Sequence, residues 1–282
     1  ETTRYPGSYY AASATPAPPR PALEGTITPE VAVVGAGFTG LSAALTLAER
    51  GHEVVVLEAA RVGWGASGRN GGQIVNGLNA SLETITARYG TATAGLVGTV
   101  VQEGGEIIRE RVARYGIACD LKDGNIFTAF TPRQMRDLEA KQALWRRHGH
   151  DHFEMLDRGA LRAHVASDVY LGGMLDRSGG HLHPLNLALG EAAGLESLGG
   201  RIFEETEVTG IDDIAGQPVI HTTRGEVRPR ILILAGNAYL GDAVPELADR
   251  VMPFSTQIMA TEPLGERGRA LLPTDMCVED VR

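Results

Sequence analysis

Four apolar residues, Val31-Ala32-Val33-Val34, run straight into Gly35-Ala36-Gly37-Phe38-Thr39-Gly40. A short, uninterrupted apolar run is what a parallel strand buried on both faces requires. Leu41, Ala44, Leu45 and Ala48 then recur at i, i+3, i+4 and i+7, the inner face of a helix that Gly51 would close. Residues 53–57 supply a second strand, and Glu58 ends it 23 residues after Gly35. The order strand, glycine turn, helix, strand, acid predicts a βαβ unit that binds a dinucleotide. Gly35 permits the tight turn, Gly37 lets backbone approach a pyrophosphate, and Gly40 allows close helix–strand packing. The helix N-terminus offers free N–H groups and its positive end to the phosphates.

Glu58 stands where an acid accepts hydrogen bonds from the adenosine ribose. Its charge would repel a 2′-phosphate, which disfavours NADP and leaves FAD and NAD. The next segment separates them. Ten of the 36 glycines fall between Gly35 and Gly77, where average usage gives about three. Ala59-Ala60-Arg61-Val62-Gly63-Trp64-Gly65-Ala66-Ser67-Gly68-Arg69-Asn70-Gly71-Gly72-Gln73 has no apolar periodicity. One reading is a long flexible surface loop. The other is a small-residue backbone running along a flat cofactor, with Ser67, Arg69, Asn70 and Gln73 bonding to it. An NAD domain would pass from the second strand to another crossover helix, so the segment favours FAD.

At these residues the chain resembles the D-amino-acid-oxidase-type family of FAD-dependent oxidoreductases. Further stretches carry the likeness: residues 8–14, 103–111, Ser178-Gly179-Gly180-His181-Leu182-His183-Pro184, and Ala235-Gly236-Asn237-Ala238-Tyr239. The resemblance implies that Gly35, Ala36, Gly37, Phe38, Thr39 and Gly40 hold the FAD pyrophosphate, Glu58 the ribose, and Ala59 and Arg61 the adenosine and phosphate half. It implies that Ser67, Gly68, Arg69, Asn70, Gly71, Gly72 and Gln73 line the path to the flavin ring. Val208 would meet the adenine through its backbone, and Ala235-Gly236 would form a second turn over the cofactor. Arg69, Asn70, Gln73, His183 and Tyr239 are the side chains placed nearest flavin or substrate; no catalytic residue is named. Members of the family extend for roughly a further third of their length, which marks this sequence as a piece of a longer protein.

The expected fold class is α/β, a Rossmann-like FAD-binding domain with a mostly parallel sheet, interleaved with an α+β substrate domain. The expected divisions are a poorly ordered tail or docking arm at 1–25, FAD-binding segments at 26–115 and 183–240, and substrate-domain segments at 116–182 and 241–282. Helices are expected at 82–115, with breaks at Gly90 and Gly104-Gly105, at 133–148 and at 184–198. Short strands are expected near 124–128, 201–203, 207–211, 219–222 and 231–234.

The balance of 26 Lys+Arg against 35 Asp+Glu, net −9, argues against a nucleic-acid partner, which needs a concentrated basic face. No apolar run approaches the ~20 residues of a membrane span. Two cysteines without a CxxC spacing read as unpaired thiols in a reducing cytoplasm. His181 and His183 lack a nearby Cys or acid to complete a metal set, so a structural role at a domain crossover is expected and no metal. His148, His150 and His152 read as a solvated loop. Asn237 and Tyr239 read as capping and packing residues, with approach to the ring as the alternative.

The activity that the resemblance implies is oxidation of a primary amine, as in polyamine breakdown, to an aldehyde with release of ammonia and hydrogen peroxide. Its partners would be a small-molecule amine and oxygen or another electron acceptor. The alternatives are a same-fold oxidase or dehydrogenase of secondary amines or amino acids, a non-catalytic FAD-binding protein, and an NAD-linked dehydrogenase.

Overall fold

In a computed structural model, which describes residues 3–78, 80–214 and 216–280, Val31–Val34 is the inner strand of a parallel sheet. Its neighbours are Val54–Leu57 on one side and Ile231–Leu234 on the other, with Arg201–Phe203 beyond Val54–Leu57. Successive strand residues face opposite ways, so Val31, Val33, Val54 and Val56 meet Leu41, Ala44 and Leu45 of the helix Phe38–Glu49. Ala188, Ala192 and Leu195 of the helix Pro184–Ser197 join the same core. Ala32, Val55 and Leu57 face the other way, against Leu23, Ile220 and Val227. That layer is a second sheet, ordered Gly25–Ile27, Gly225–Val227, Gln217–Thr222, Val208–Ile214. Two covered faces explain why the first strands are apolar at every position.

The chain divides into two compact units, residues 1–70, 112–119 and 183–258 forming one, and 71–111, 120–182 and 259–282 the other. The second is built on Gly172–His181, which pairs antiparallel with Lys122–Ala129, Phe153–Asp157 and Gln73–Ile74; Cys277–Asp280 adds in parallel to Lys122–Ala129. One face carries Phe127, Phe153 and Met174 against Leu138, Leu144 and Trp145 of the helix Pro132–Arg147. The other face buries Ile126, Leu156, Leu161, Val165 and Leu175.

Several expectations need correction. Residues 71–111 belong to the second unit, because Gln73–Ile74 pairs with Gly172–His181 as soon as the chain passes Asn70. The first unit recovers 112–119, where the Tyr115 hydroxyl donates to Glu49 at 2.6 Å, and extends to 258 instead of 240. Residues 3–24 are no loose tail: Leu23 is buried, and its N–H donates to Thr206 Oγ1. The helix Leu82–Arg114 breaks at Gly90 (φ 84°) but runs through Gly104-Gly105. A glycine in a helix costs only about 1 kcal/mol, and bare Gly105 makes room for Ile74 and Asn76.

Two of the three histidines after Pro132–Arg147, His150 and His152, are not solvated either. His150 lies edge-on to Trp145 at 5.3 Å, and its Nε2 is buried with no hydrogen-bond partner among the described residues. His152 bonds to Gln102 and approaches the fully buried Asp176 at 3.8 Å. Gly98 lies where any Cβ would press on His150, which explains how the imidazole is accommodated.

Burial, then the neighbouring His152 and His148, lowers the His150 pKa; burial lowers that of His152 too, against the pull of Asp176 and Asp151. The unfolded chain therefore binds more protons just below the ordinary histidine value. Stability present above pH ~6.5 is lost as pH falls toward the folded-state values. Thermal melts are expected to show a lower Tm at about pH 5.5 than at about pH 7.5, and His150→Gln to flatten that difference.

Candidate functional site

At Gly35 and Gly40 the turn after Val31–Val34 is closed by backbone contacts that only glycine satisfies. Gly35 has φ +103°, and a Cβ there would lie 2.8 Å from the Ala235 carbonyl oxygen. A Cβ on Gly40 would lie 1.9 Å from the Gly35 carbonyl oxygen, and one on Gly37 2.8 Å from Ser67 Oγ. Gly37 is the N-cap of Phe38–Glu49 and supplies no side-chain cap bond. The first N–H groups of a helix have no intrahelical acceptor. That of Phe38 donates to Ser67 Oγ at 3.0 Å; among the described residues those of Gly37 and Thr39 meet no acceptor, which leaves them as donors for an anion.

Glu58, one step past Val54–Leu57, turns back under this turn. Its carboxylate accepts the N–H of Ala36 at 2.8 Å and of Ala60 at 2.9 Å. Burial raises its pKa above the ordinary carboxylate value, and the two backbone bonds oppose the rise.

The glycine-rich segment is no loose loop up to Asn70. The Gly63 N–H donates to Ala36 O at 2.9 Å, and a Cβ on Gly68 would lie 2.1 Å from Gly63 O, so the segment coils on itself through a turn at Ala66–Gly68. Asn70 Nδ2 donates to Ser67 O at 2.8 Å. The Arg69 guanidinium donates to the carbonyls of Trp64 and Gly65 and lies over the Trp64 ring at 4.7 Å. Trp64 in turn packs edge-on against Tyr239 at 5.8 Å. Arg61 pairs with Glu204 at 3.1 Å and Glu205 at 3.3 Å.

The first unit thus brings together the Gly35–Gly40 turn, Glu58, Ser67 and Ala235-Gly236. Val208 begins the strand Val208–Ile214 and packs in the Leu23 and Ile220 cluster. His183 is used elsewhere: it is buried, caps Pro184–Ser197 by accepting the Asn186 N–H at 3.1 Å, and contacts Ser13 Oγ at 3.1 Å. Gly71, Gly72 and Gln73 belong to the second unit, where Gln73 Nε2 donates to Cys277 Sγ at 2.9 Å. His181 Nε2 bonds there to the Asp275 carbonyl at 2.8 Å. The sequence reading missed Trp64 and Glu204. An aromatic in a glycine-rich stretch was the available signal for Trp64; Glu204 beside Glu205 reads only as a surface acid.

A glycine cradle, an uncapped helix N-terminus and an acid at the end of the second strand are the parts of a parallel-sheet dinucleotide-binding protein. The profile of the family described as FAD dependent oxidoreductase matches residues 30–281, and the chain belongs to that family, whose cofactor is FAD. It is 51% identical over 280 residues to the gamma-glutamylputrescine oxidoreductase of Escherichia coli (strain K12), covering 99% of this chain and 66% of that protein. It is 40% identical to a probable oxidoreductase, OrdL, of Haemophilus influenzae, covering 84% of this chain and 56% of that one. Among solved structures it is similar to glycine oxidase from Geobacillus kaustophilus, with a TM-score of 0.64 and 25% identity over 77% of this chain and 58% of that one. An L-amino acid deaminase from Proteus vulgaris, at 20% identity and a TM-score of 0.68 over 86% of this chain and 61% of that one, shares the fold. The chain spans about two thirds or less of the length of these relatives.

The contact of residue 40 with a backbone oxygen cannot relax by moving a side chain. Gly40→Ala is expected to lower the stability of the protein without cofactor by at least about 1–3 kcal/mol, read as a fallen urea midpoint. Gly77→Ala, with nothing within 4 Å of its Cβ, should leave the midpoint within about 0.5 kcal/mol of its value in the unmodified protein.

Proposed function

We propose that this chain holds FAD in its first unit and that the complete protein oxidises a primary amine such as γ-glutamylputrescine. The observation that carries the cofactor reading is the cradle itself. Its glycines clear a surface beside a helix N-terminus that has no side-chain cap at Gly37, with the Glu58 carboxylate fixed beneath it. Within the Gly35–Gly40 turn the backbone N–H groups of Gly37 and Thr39 would donate to the pyrophosphate, and Glu58 would accept from the ribose. Arg61 and Ala59 would border the adenosine half, Val208 the adenine, and Ala235-Gly236 the far side of the turn. Ser67, Gly68, Arg69 and Asn70 would run toward the ring, the chain continuing into Gly71, Gly72 and Gln73.

Bound FAD supplies a hydride acceptor, which none of these side chains can. The protein's part is to orient: Ser67 fixes the start of the helix, and Arg69, tied to two carbonyls and stacked on Trp64, stiffens the segment. In the proposed net reaction the amine, dioxygen and water give an aldehyde, ammonia and hydrogen peroxide. The 51% identity to the E. coli enzyme over 99% of this chain supports the substrate class. Among the described residues no helix is long and apolar enough to cross a membrane. The sequence has only two cysteines and no CxxC spacing, which suits a reducing compartment and supports the cytoplasm as the location.

The complete protein is expected to be yellow as purified, to release FAD on denaturation, and to bleach when γ-glutamylputrescine is added without oxygen. Turnover of sarcosine or glycine with none of γ-glutamylputrescine would sink the substrate assignment; colour with no bleaching by any amine would favour a silent FAD-binding protein. Hydrogen bonds to a charged group contribute about 1.5–3 kcal/mol, so Glu58→Gln should weaken FAD binding roughly 10-fold to 100-fold, measured by quenching of FAD fluorescence.

A further inference from the structure

We infer that the N-terminal segment, residues 3–23, is a working part of the cofactor site: it holds the segment Arg61–Arg69 in the shape that meets the Gly35–Gly40 turn. This rests on the FAD reading above. The segment is fixed to residues far away in sequence. Ser13 contacts His183 at 3.1 Å, and the Thr15 N–H donates to Asn186 Oδ1 at 2.8 Å. The Arg20 guanidinium forms a two-pronged pair with Glu196 at 2.7 and 2.8 Å.

Three bonds then pass from this strap to the glycine-rich segment. The Tyr5 hydroxyl donates to the Val62 carbonyl at 2.7 Å, and Trp64 Nε1 donates to the Arg4 carbonyl at 2.9 Å. The third runs through Glu204, which is 2% exposed. Its carboxylate accepts from the Arg20 N–H at 3.1 Å, from Arg61 at 3.1 Å and from the Val62 N–H at 3.0 Å. Both backbone groups of Val62 are therefore held, one by the strap and one by the acid that the strap engages. The next residue, Gly63, donates to the Ala36 carbonyl inside the turn at 2.9 Å, and Ser67 accepts the Phe38 N–H at 3.0 Å.

The strap is not packed solidly along its length. A cleft of about 510 Å³ beneath it is lined by Arg4, Tyr5, Thr15, Arg20, Arg61 and Glu204 among others. Along the cleft its grip thus depends on discrete polar bonds, with Leu23 buried in the core at its far end. Burial, then the charge of Glu204, pushes the Tyr5 pKa up to about 12, so the hydroxyl remains a donor through the working pH range.

The test uses the complete protein, stripped of flavin and titrated with FAD, with the melting temperature of the stripped form measured beside it. Tyr5→Phe removes one hydroxyl and no packing volume. A hydrogen bond contributes about 0.5–1.5 kcal/mol, so the FAD Kd is expected to rise roughly 2-fold to 12-fold, with the circular dichroism of the stripped protein unchanged. Arg20→Met, which removes the pair with Glu196 and the guanidinium's 3.5 Å bond to Glu204, should raise the Kd further. A strap that serves stability alone would lower the melting temperature and leave the Kd and the bound-flavin spectrum as they were; that result in both variants overturns the inference. Failure of the unmodified protein to bind FAD overturns the cofactor reading, and this inference with it.

Discussion

The helix Phe38–Glu49 can lie as close as it does to the sheet only because residue 40 has no side chain. A Cβ there would lie 1.9 Å from the Gly35 carbonyl oxygen, a distance at which backbone, not a rotamer, must move. The contact sets the height of the helix N-terminus above the strand ends. It also sets where Leu41, Ala44 and Leu45 meet Val31, Val33 and Val56. The turn is locked from its other side too, since Gly35 abuts Ala235. The exposed amides and the inner core thus share one steric condition, and the neighbouring contact of Gly35 with Ala235 fixes the ends of the paired strands Val31–Val34 and Ile231–Leu234.

This part of the fold was legible because its signals are local: an apolar run, three spaced glycines and a helical stripe lie within twenty residues of one another. The strand Gly172–His181 was not, although it is the centre of the second unit's sheet. Its four glycines dilute strand propensity. The structure shows why they are there: a Cβ at Gly172, Gly173 or Gly180 would come within 2.6 Å of a neighbouring backbone oxygen. The N-terminal segment misled for a related reason. Five prolines and no apolar stripe read as disorder, whereas its bonds reach Glu196, Glu204 and Asn186, more than 170 residues on. Interactions at that separation leave no periodic mark. In the site, the turn and Glu58 were readable from spacing and Ser67 stood out as a polar residue in the glycine-rich segment, while Glu204 and the Trp64–Tyr239 contact depend on tertiary packing.

Two buried acids illustrate how each unit excludes alternative packings. Asp176 is 0% exposed and accepts from Asn76 and Ser178; Glu204 is 2% exposed and accepts from Arg20, Arg61 and Val62. A buried ion pair adds little net stability over an apolar substitute, but removing one partner leaves an uncompensated charge at a cost of about 3–5 kcal/mol. Each acid therefore penalises any arrangement in which its donors fail to converge. In the first unit those donors come from the strap and from the glycine-rich segment, two stretches with few large aliphatic side chains to position them otherwise.

Glu58 shows what such positioning does for a ligand. Each of its oxygens accepts one backbone N–H, from Ala36 or Ala60, and each keeps a further lone pair. The carboxylate is therefore oriented before any ribose hydroxyl arrives, and little side-chain freedom is left to lose on binding. Burial raises its pKa while the two N–H donors oppose the rise, and the partial dehydration strengthens whatever bond it makes. Because both donors are main-chain groups of the turn and of the segment after the strand, the same folding step that forms the glycine cradle also sets the angle of the acid beneath it.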